Sequence, residues 1–425
     1  MKLICTPTRT SLPEVSEMTL PVFLYGRGDA TEMVSVGAAV AEEIAGQGLT
    51  LSTRGWDLLS LALSVIAADT AVLKPHTPDG WTREIELSVA VSDADFWITQ
   101  SQLIERILQF LTTDIWSISF VPTAFEPPSP KERIVPNEEA VALLSGGVDS
   151  LVGVIDLITR GVRTFAVSQI VLGDADKQTK FATELGGGLR HLQLNHNVNW
   201  AETNDLNQRA RSFIFLVYGA LAATTVRNYL DGASVSLYVS ENGLISINPP
   251  LTDGRLGSLS TRTTHPVFLS LFQQLLWNAG IRVDLINPYQ FKTKGEMLAE
   301  CGNQDYLIAN AHLATSCGRY RRNGFRHCGR CVPCMIRRAA FHRWPQQDQT
   351  IYVYGDLGRN DSDHAGFDDV RSAFMAVEIV EESGIDSLLG SSLASDMITD
   401  TSPYQKVAER GIAEVGAFLK NAGVK

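Results

Sequence analysis

Residues 141–150, Val-Ala-Leu-Leu-Ser-Gly-Gly-Val-Asp-Ser, constrain this chain more than any other stretch. Four apolar residues run straight into two glycines, and an apolar run with helical spacing follows at 151–159. A strand that turns this abruptly into a helix gathers backbone N–H groups at the helix start, where the partial positive charge suits a phosphate. Gly146 and Gly147 can take backbone angles closed to other residues, and no Cβ keeps an anion away. Ser145 and Ser150 add hydroxyl donors, and Asp149 can hold Mg²⁺ or cap the helix. The whole run, rather than Gly-Gly alone, points to phosphate binding. No G-x-x-x-x-G-K-[ST] occurs, so the loop is not of the Walker type.

Strand, turn and helix signals alternate around this stretch. Strands are expected at 141–144, 164–170 and 190–194, with helices at 151–159 and 177–185, the latter ended by Gly186-Gly187-Gly188. That alternation predicts a parallel sheet covered by helices, hence an α/β fold. Residues 1–121 read as a separate unit, a mixed α+β accessory domain without a catalytic constellation. Within it, 83–91 alternates like a half-buried strand, and 56–68 and 101–113 have helical character. Pro122, Pro127, Pro128, Pro130 and Pro136 mark 122–137 as a stiff, extended linker. The central block then spans 138–345. Residues 346–425 read as a mostly helical extension with one short strand at 351–354 and helices at 370–381 and 404–420. No internal repeat is visible.

Composition limits the class. Hydrophobic residues make up 44% and charged residues 20%, as in an ordinary soluble protein. The start lacks a signal-peptide pattern, and the most apolar run, 213–226, is too short to span a bilayer, so a buried helix and a cytoplasmic protein with no membrane partner are expected. A net charge of −11 argues against non-specific nucleic-acid binding by the whole molecule, though not against a local basic site. Four of the six cysteines, Cys317, Cys328, Cys331 and Cys334, fall within 18 residues, and Cys5 and Cys301 stand apart. Cys-x10-Cys-x2-Cys-x2-Cys supplies four thiolates, enough for one closed tetrahedral zinc site of structural kind. An iron–sulfur cluster uses the same number of ligands.

Ser145-Gly146-Gly147-Val148-Asp149-Ser150 is similar to the SGGxDS motif of the PP-loop ATP pyrophosphatases. That resemblance implies a Rossmann-like sheet that cleaves ATP between the α- and β-phosphates and adenylates a substrate. With Thr293-Lys294-Gly295-Glu296 and the cysteine block ending at Arg337, residues 138–344 resemble the 7-cyano-7-deazaguanine synthase (QueC) family. The resemblance implies ATP, Mg²⁺ and Zn²⁺ as cofactors and a deazaguanine-type small molecule as substrate. It also implies catalytic roles for Ser145 and Asp149 and phosphate contacts for Lys294 and Arg211. The chain departs from the family after its second strand, where Gln169-Ile170-Val171-Leu172-Gly173 replaces the tyrosine-glycine-glutamine stretch. It departs again at Thr252-Asp253-Gly254-Arg255-Leu256-Gly257, in place of an aspartate-cysteine-arginine segment. Adenylation carries over better than ammonia as nucleophile or nitrile as product. QueC-like chains extended by extra domains are similar to components of the Qat antiphage defence operons, which implies transfer to the amino terminus of a partner protein docked on the accessory domains.

Other readings stay open: free nitrile synthesis with ammonia, a tRNA-modifying enzyme using a persulfide on Cys5 or Cys301, and a non-catalytic nucleotide scaffold. Glu241-Asn242-Gly243 and Arg255…Arg262 flank a Gly/Ser/Thr-rich loop that can close over a substrate or be an ordinary loop. Arg209 stands beside Arg211 at the start of the apolar helix. His265, before Pro266, reads as structural. Residues 306–347 carry eight arginines and no acidic side chain. They suit either an anionic partner such as RNA or an acidic protein tail, or internal pairing with thiolates, carbonyls and phosphates.

Overall fold

The computed structural model describes residues 1–74, 77, 79–201, 209–251, 262–358, 368–390 and 392–424. Two five-stranded sheets organise the chain. The first holds β1 (Lys2–Thr6), β2 (Thr19–Leu24), β3 (Val34–Val36), β4 (Glu84–Val91) and β5 (Ile115–Pro122) in the order β3-β2-β1-β4-β5. The second holds β6 (Ala140–Leu143), β7 (Thr164–Gln169), β8 (Arg190–Leu194), β9 (Val235–Tyr238) and β10 (Val283–Ile286) in the order β10-β9-β6-β7-β8. Every named pairing in both sheets is parallel. Each sheet therefore starts at its middle strand, winds outward to one side and then to the other, a doubly wound order.

The N-terminal unit is thus α/β and not α+β. Alternation along 83–91 records which face is covered, since Glu84 and Glu86 are exposed while Ile85 and Leu87 are buried. It carries no information on strand direction, which the helical crossovers α1 (Ala38–Gly46), α2 (Thr53–Ala71) and α3 (Ala94–Thr112) make parallel. Both sheets share one winding order without an internal sequence repeat.

In the second unit, α4 (Val148–Thr159) and α5 (Ala175–Glu184) connect β6, β7 and β8. The apolar helix α6 (Arg211–Ala223) and short α7 (Arg227–Leu230) lead to β9; α8 (Gly243–Ile247) and α9 (Pro266–Asn278) lead to β10. Helix α6 is buried on nearly every side, and α2, itself buried from Gly55 to Ala71, packs along it. Gly55 of α2 leaves only 3.3 Å between an added Cβ and Leu221 of α6. One apolar core consequently runs from Leu3 and Val22 through α2 and α6 to Phe272 and Val283. The proline-rich segment is docked rather than free: Phe125 stacks on Tyr25 at 4.8 Å, and Ile134 donates to the Gly48 carbonyl at 2.9 Å.

Helices α10 (Lys294–Glu300), α11 (Gln304–Asn310) and α12 (Val332–Arg343) complete the block, and α13 (Asp368–Ser383), α14 (Asp386–Leu389) and α15 (Ser402–Asn421) form the extension. A second core joins α8, α12, α13 and α15. The strand expected at 351–354 is a single bridge from Tyr352 to His327. Ile351 is 76% exposed, and this apolar segment lies along the cysteine block rather than in a sheet. Among the described residues, no helix is long and apolar enough to cross a membrane.

Candidate functional site

A doubly wound sheet opens a crevice at the carboxyl ends of its strands where the winding reverses, here between β6 and β9. The Ser145–Ser150 turn leaves β6 at that point. Gly146 sits at φ +88°, where a side chain is strained, and an added Cβ at Gly147 would meet the Thr315 carbonyl at 3.2 Å. The Ser145 and Ser150 hydroxyls lie 3.0 Å apart; Ser150 donates to the Gly147 carbonyl at 2.9 Å, and the Gly147 amide donates to Ser145 Oγ at 3.2 Å. Helix α4 begins at Val148 with no side-chain cap of its own. The turn is held open at a helix start, as a phosphate cradle requires.

A cavity of about 310 Å³ faces this turn, at the lower end of small-molecule sites, roughly 300–1,000 Å³. Ser145 lines it from the turn after β6, Ser150 from the first turn of α4, Gln169 from the end of β7, and Ser240 and Glu241 from the segment after β9. Arg209, Arg211, Ser212 and Phe215 line it from the start of α6, and Thr263 and Thr264 from the approach to α9. Arg211 donates to Gln169 Oε1 at 3.2 Å, and surrounding protein lowers its pKa by desolvation, with Asp174 opposing. Gln169 in turn contacts His196 Nδ1 at 3.1 Å. Burial, reinforced by Arg211, depresses His196 to about 4, so the ring stays neutral at pH 7. The Ser212 hydroxyl is shielded and has no partner among the described residues. Gln169 and Ser212 escape sequence reading, because glutamine and serine carry no spacing signature.

Asp149 and Lys294 meet in a buried ion pair behind the turn. Asp149 Oδ2 accepts from the Asn242 amide at 3.1 Å and from Asn242 Nδ2 at 2.7 Å. Burial alone would raise the Asp149 carboxyl, but Lys294 and hydrogen bonds from Glu241, Lys294 and Asn242 hold it well below the usual carboxylate range. Both oxygens are thus engaged: the carboxylate neither caps α4 nor stands open to Mg²⁺ in this arrangement. It is buried, not on a bare turn. Glu241 goes the other way, its pKa raised well above the ordinary value by burial and then by Asp149. Lys294 starts α10 inside a capping box of Thr293 and Glu296, and α15 braces it through Thr293 Oγ1 to Glu414 at 2.5 Å and Arg410 to Glu296 at 2.7 Å.

Cys317, Cys328, Cys331 and Cys334 converge, with all four sulfurs within 4.8 Å of one another. Two of the pairs stand 3.9 Å apart, Cys317–Cys331 and Cys328–Cys334. Zn–S bonds of about 2.3 Å place tetrahedral sulfurs roughly 3.8 Å apart, so the set fits one zinc ion. Amides of Arg319 and Cys328 donate to Cys317 Sγ, and that of Cys331 to Cys328 Sγ, each at 3.3 Å. The knuckle is joined to the glycine turn: the Thr315 amide donates to the Gly146 carbonyl at 2.9 Å, and Thr315 Oγ1 meets Asp174 at 2.6 Å and Lys177 Nζ at 2.5 Å.

Most of the arginine excess is used internally. Arg337 is fully buried and donates to the Ala311 and Ala314 carbonyls; Arg338 reaches Gly329 and Gly355, Arg319 pairs with Asp369, and Arg343 with Glu414. Arg330 stacks on Tyr354, while Arg321, Arg322 and Arg326 are exposed. His265 caps α9 and contacts the Ser392 carbonyl at 2.9 Å, a structural placement. Arg255 and the 252–257 loop lie outside the described residues. Cys5 and Cys301 are buried, and desolvation pushes both thiols up to about 12, which disfavours the thiolate a persulfide carrier needs.

Comparison with known proteins gives one partial likeness. Over 97 residues, 22% of this chain, it is 32% identical to a 7-cyano-7-deazaguanine synthase of Paracoccus denitrificans (strain Pd 1222). The match covers 39% of that relative, well under two thirds of its length. No family model matches, and no solved structure matches. The likeness supports a QueC-like relationship and an enzyme.

Proposed function

We propose that the chain uses ATP to adenylate the carboxylate of a 7-deazaguanine and passes the acyl group to an amine. The observation that carries this reading is the Ser145–Ser150 turn, which opens at a sheet's reversal point into a cavity shared with Arg211. A carboxylate oxygen attacks the α-phosphorus, the bond to the β-phosphate breaks and pyrophosphate leaves. The amine then attacks the acyl carbon, AMP leaves and the amine gives up a proton. Arg211 and the turn amides would hold phosphate oxygens, and the Ser145 hydroxyl would donate to the leaving pyrophosphate. Lys294 would act by holding Asp149 and Asn242 behind the turn. ATP would travel with Mg²⁺ on its own phosphates, and the four cysteines would keep a structural Zn²⁺ that ties Thr315 to Gly146.

The acceptor is the finer part of the proposal. The amino terminus of a partner protein, as in a QatC-like component of antiphage defence, accounts for domains beyond a minimal synthase. Synthesis of free 7-cyano-7-deazaguanine from ammonia is the second reading, favoured by the likeness to the Paracoccus 7-cyano-7-deazaguanine synthase. The test incubates the protein with ATP and 7-carboxy-7-deazaguanine, measures AMP and pyrophosphate, and weighs a co-expressed partner intact. Equal AMP and pyrophosphate with a heavier partner, both abolished by Ser145→Ala, support transfer. An unmodified partner with accumulating free nitrile replaces transfer by synthesis, and no pyrophosphate from any carboxylate removes the adenylation reading.

A further inference from the structure

The N-terminal unit has the winding order of a nucleotide-binding domain, yet its own crevice is filled. Asp57, from α2, accepts from the Ser92 and Asp93 amides at 2.7 and 3.0 Å and from Trp97 Nε1 at 3.1 Å. A carboxylate of the chain therefore already occupies the start of α3, where a bound anion would sit. What this unit offers its neighbour lies at the other end of α3 and α2.

There, Arg83, Asp69 and Asp114 form a fully buried cluster, with Arg83 Nη2 at 2.6 Å from Asp69 and 2.5 Å from Asp114. The second Asp69 oxygen accepts the Ala210 amide at 2.8 Å. Ala210 is the N-cap of α6 and has no side chain to cap with, so a carboxylate from the other unit caps the helix that begins at Arg211. The last carbonyls of α3 have no partner inside the helix and attract cations. Two arginines take them: Arg209 reaches the Thr112 carbonyl at 2.8 Å, and Arg262 the Phe110 carbonyl at 3.1 Å. Arg209 itself lines the cavity two residues before Arg211, and Arg262 stands next to the lining residue Thr263. Resting on the reading of the cavity as a phosphate site, we infer that the N-terminal unit fixes the cavity wall from behind by holding the start of α6, with Asp69 and Arg209 as positioning residues for Arg211.

The test uses the full chain with Arg209→Gln, Asp69→Asn and the conservative Arg209→Lys. Hydrogen exchange at the opening amides of α6 and the midpoint for inorganic pyrophosphate, read by thermal shift, are measured together. Arg209→Gln should speed exchange there and raise the pyrophosphate midpoint roughly tenfold, as small displacements of binding groups do. Arg209→Lys, still a donor to the Thr112 carbonyl, should recover most of the binding. Arg209→Gln carries the test if Asp69→Asn does not fold, because Arg209 is outside the buried cluster. Unchanged exchange, or faster exchange with an unchanged midpoint, overturns the inference. Wild-type protein that binds neither pyrophosphate nor ATP overturns the phosphate-site reading instead, and the exchange arm still decides whether the N-terminal unit holds the helix start.

Discussion

Asp149 and Lys294 show how much depends on one buried pair. Each is about 7% exposed, and neither has water to fall back on. Removing one partner leaves an uncompensated charge, which costs roughly 3–5 kcal/mol, whereas replacing both by neutral side chains is often close to neutral. Lys294→Met should therefore lose about that much in denaturant unfolding, and Asp149→Asn with Lys294→Met should regain most of it. A single variant as stable as wild type would contradict the pairing. Glu241 gives a pH test of opposite sign. Its pKa is raised in the fold, so its contribution is fully present below the unfolded value of about 4.3 and is lost as pH rises toward the folded value. Glu241→Gln keeps the shape of the protonated acid. Calorimetry should find the variant equal to wild type near pH ~4 and more stable than wild type at pH ~7–8.

At the scale of elements, the cysteine knuckle and the glycine turn behave as one piece. Thr315, two residues before Cys317, is bonded to Gly146, and Lys177 bridges Thr315 and the Tyr320 hydroxyl, at 2.5 and 2.9 Å. Purified protein should carry about one zinc per chain, detected by elemental analysis. Chelation, or Cys331→Ser, should release the metal and lower the melting temperature, because closing such a site supplies folding free energy. Hydrogen exchange should rise at 315–334 and also at the 145–147 turn. Iron with visible absorbance, or metal loss that leaves the turn's exchange unchanged, would refute this coupling. The extension acts on the same site from the other side, since an added Cβ at Gly243 would meet Val407 of α15 at 2.8 Å.

For the whole molecule, the apolar core shared by the two sheets predicts one folding unit where 1–121 and 138–345 are concerned. Full-length protein should melt in a single transition for these parts, and a chain lacking 1–121 should be insoluble, because deletion uncovers the α2-facing side of α6. A soluble truncation with native-like melting would show that the two units fold independently. The inner faces of both additions are taken up by packing against the central block. A protein partner would have to use their outer surfaces, where Met375 and Ile379 of α13 are exposed.

The glycine turn, the four converging cysteines, the buried apolar helix and the parallel central sheet were all legible in the chain. Each is set by short-range chemistry: residue type, spacing and periodicity act within a few turns of backbone. Other features were decided only by tertiary structure, because they need groups far apart in sequence. Residues 1–121 turned out parallel because direction depends on crossovers, not on alternation. Asp149 could be placed on the turn from its motif, but its burial against Lys294, 145 residues away, could not. Gln169, Ser212 and the Asp69 cap on Ala210 carry no signature, since a polar side chain acquires its role from the neighbour that folding brings to it.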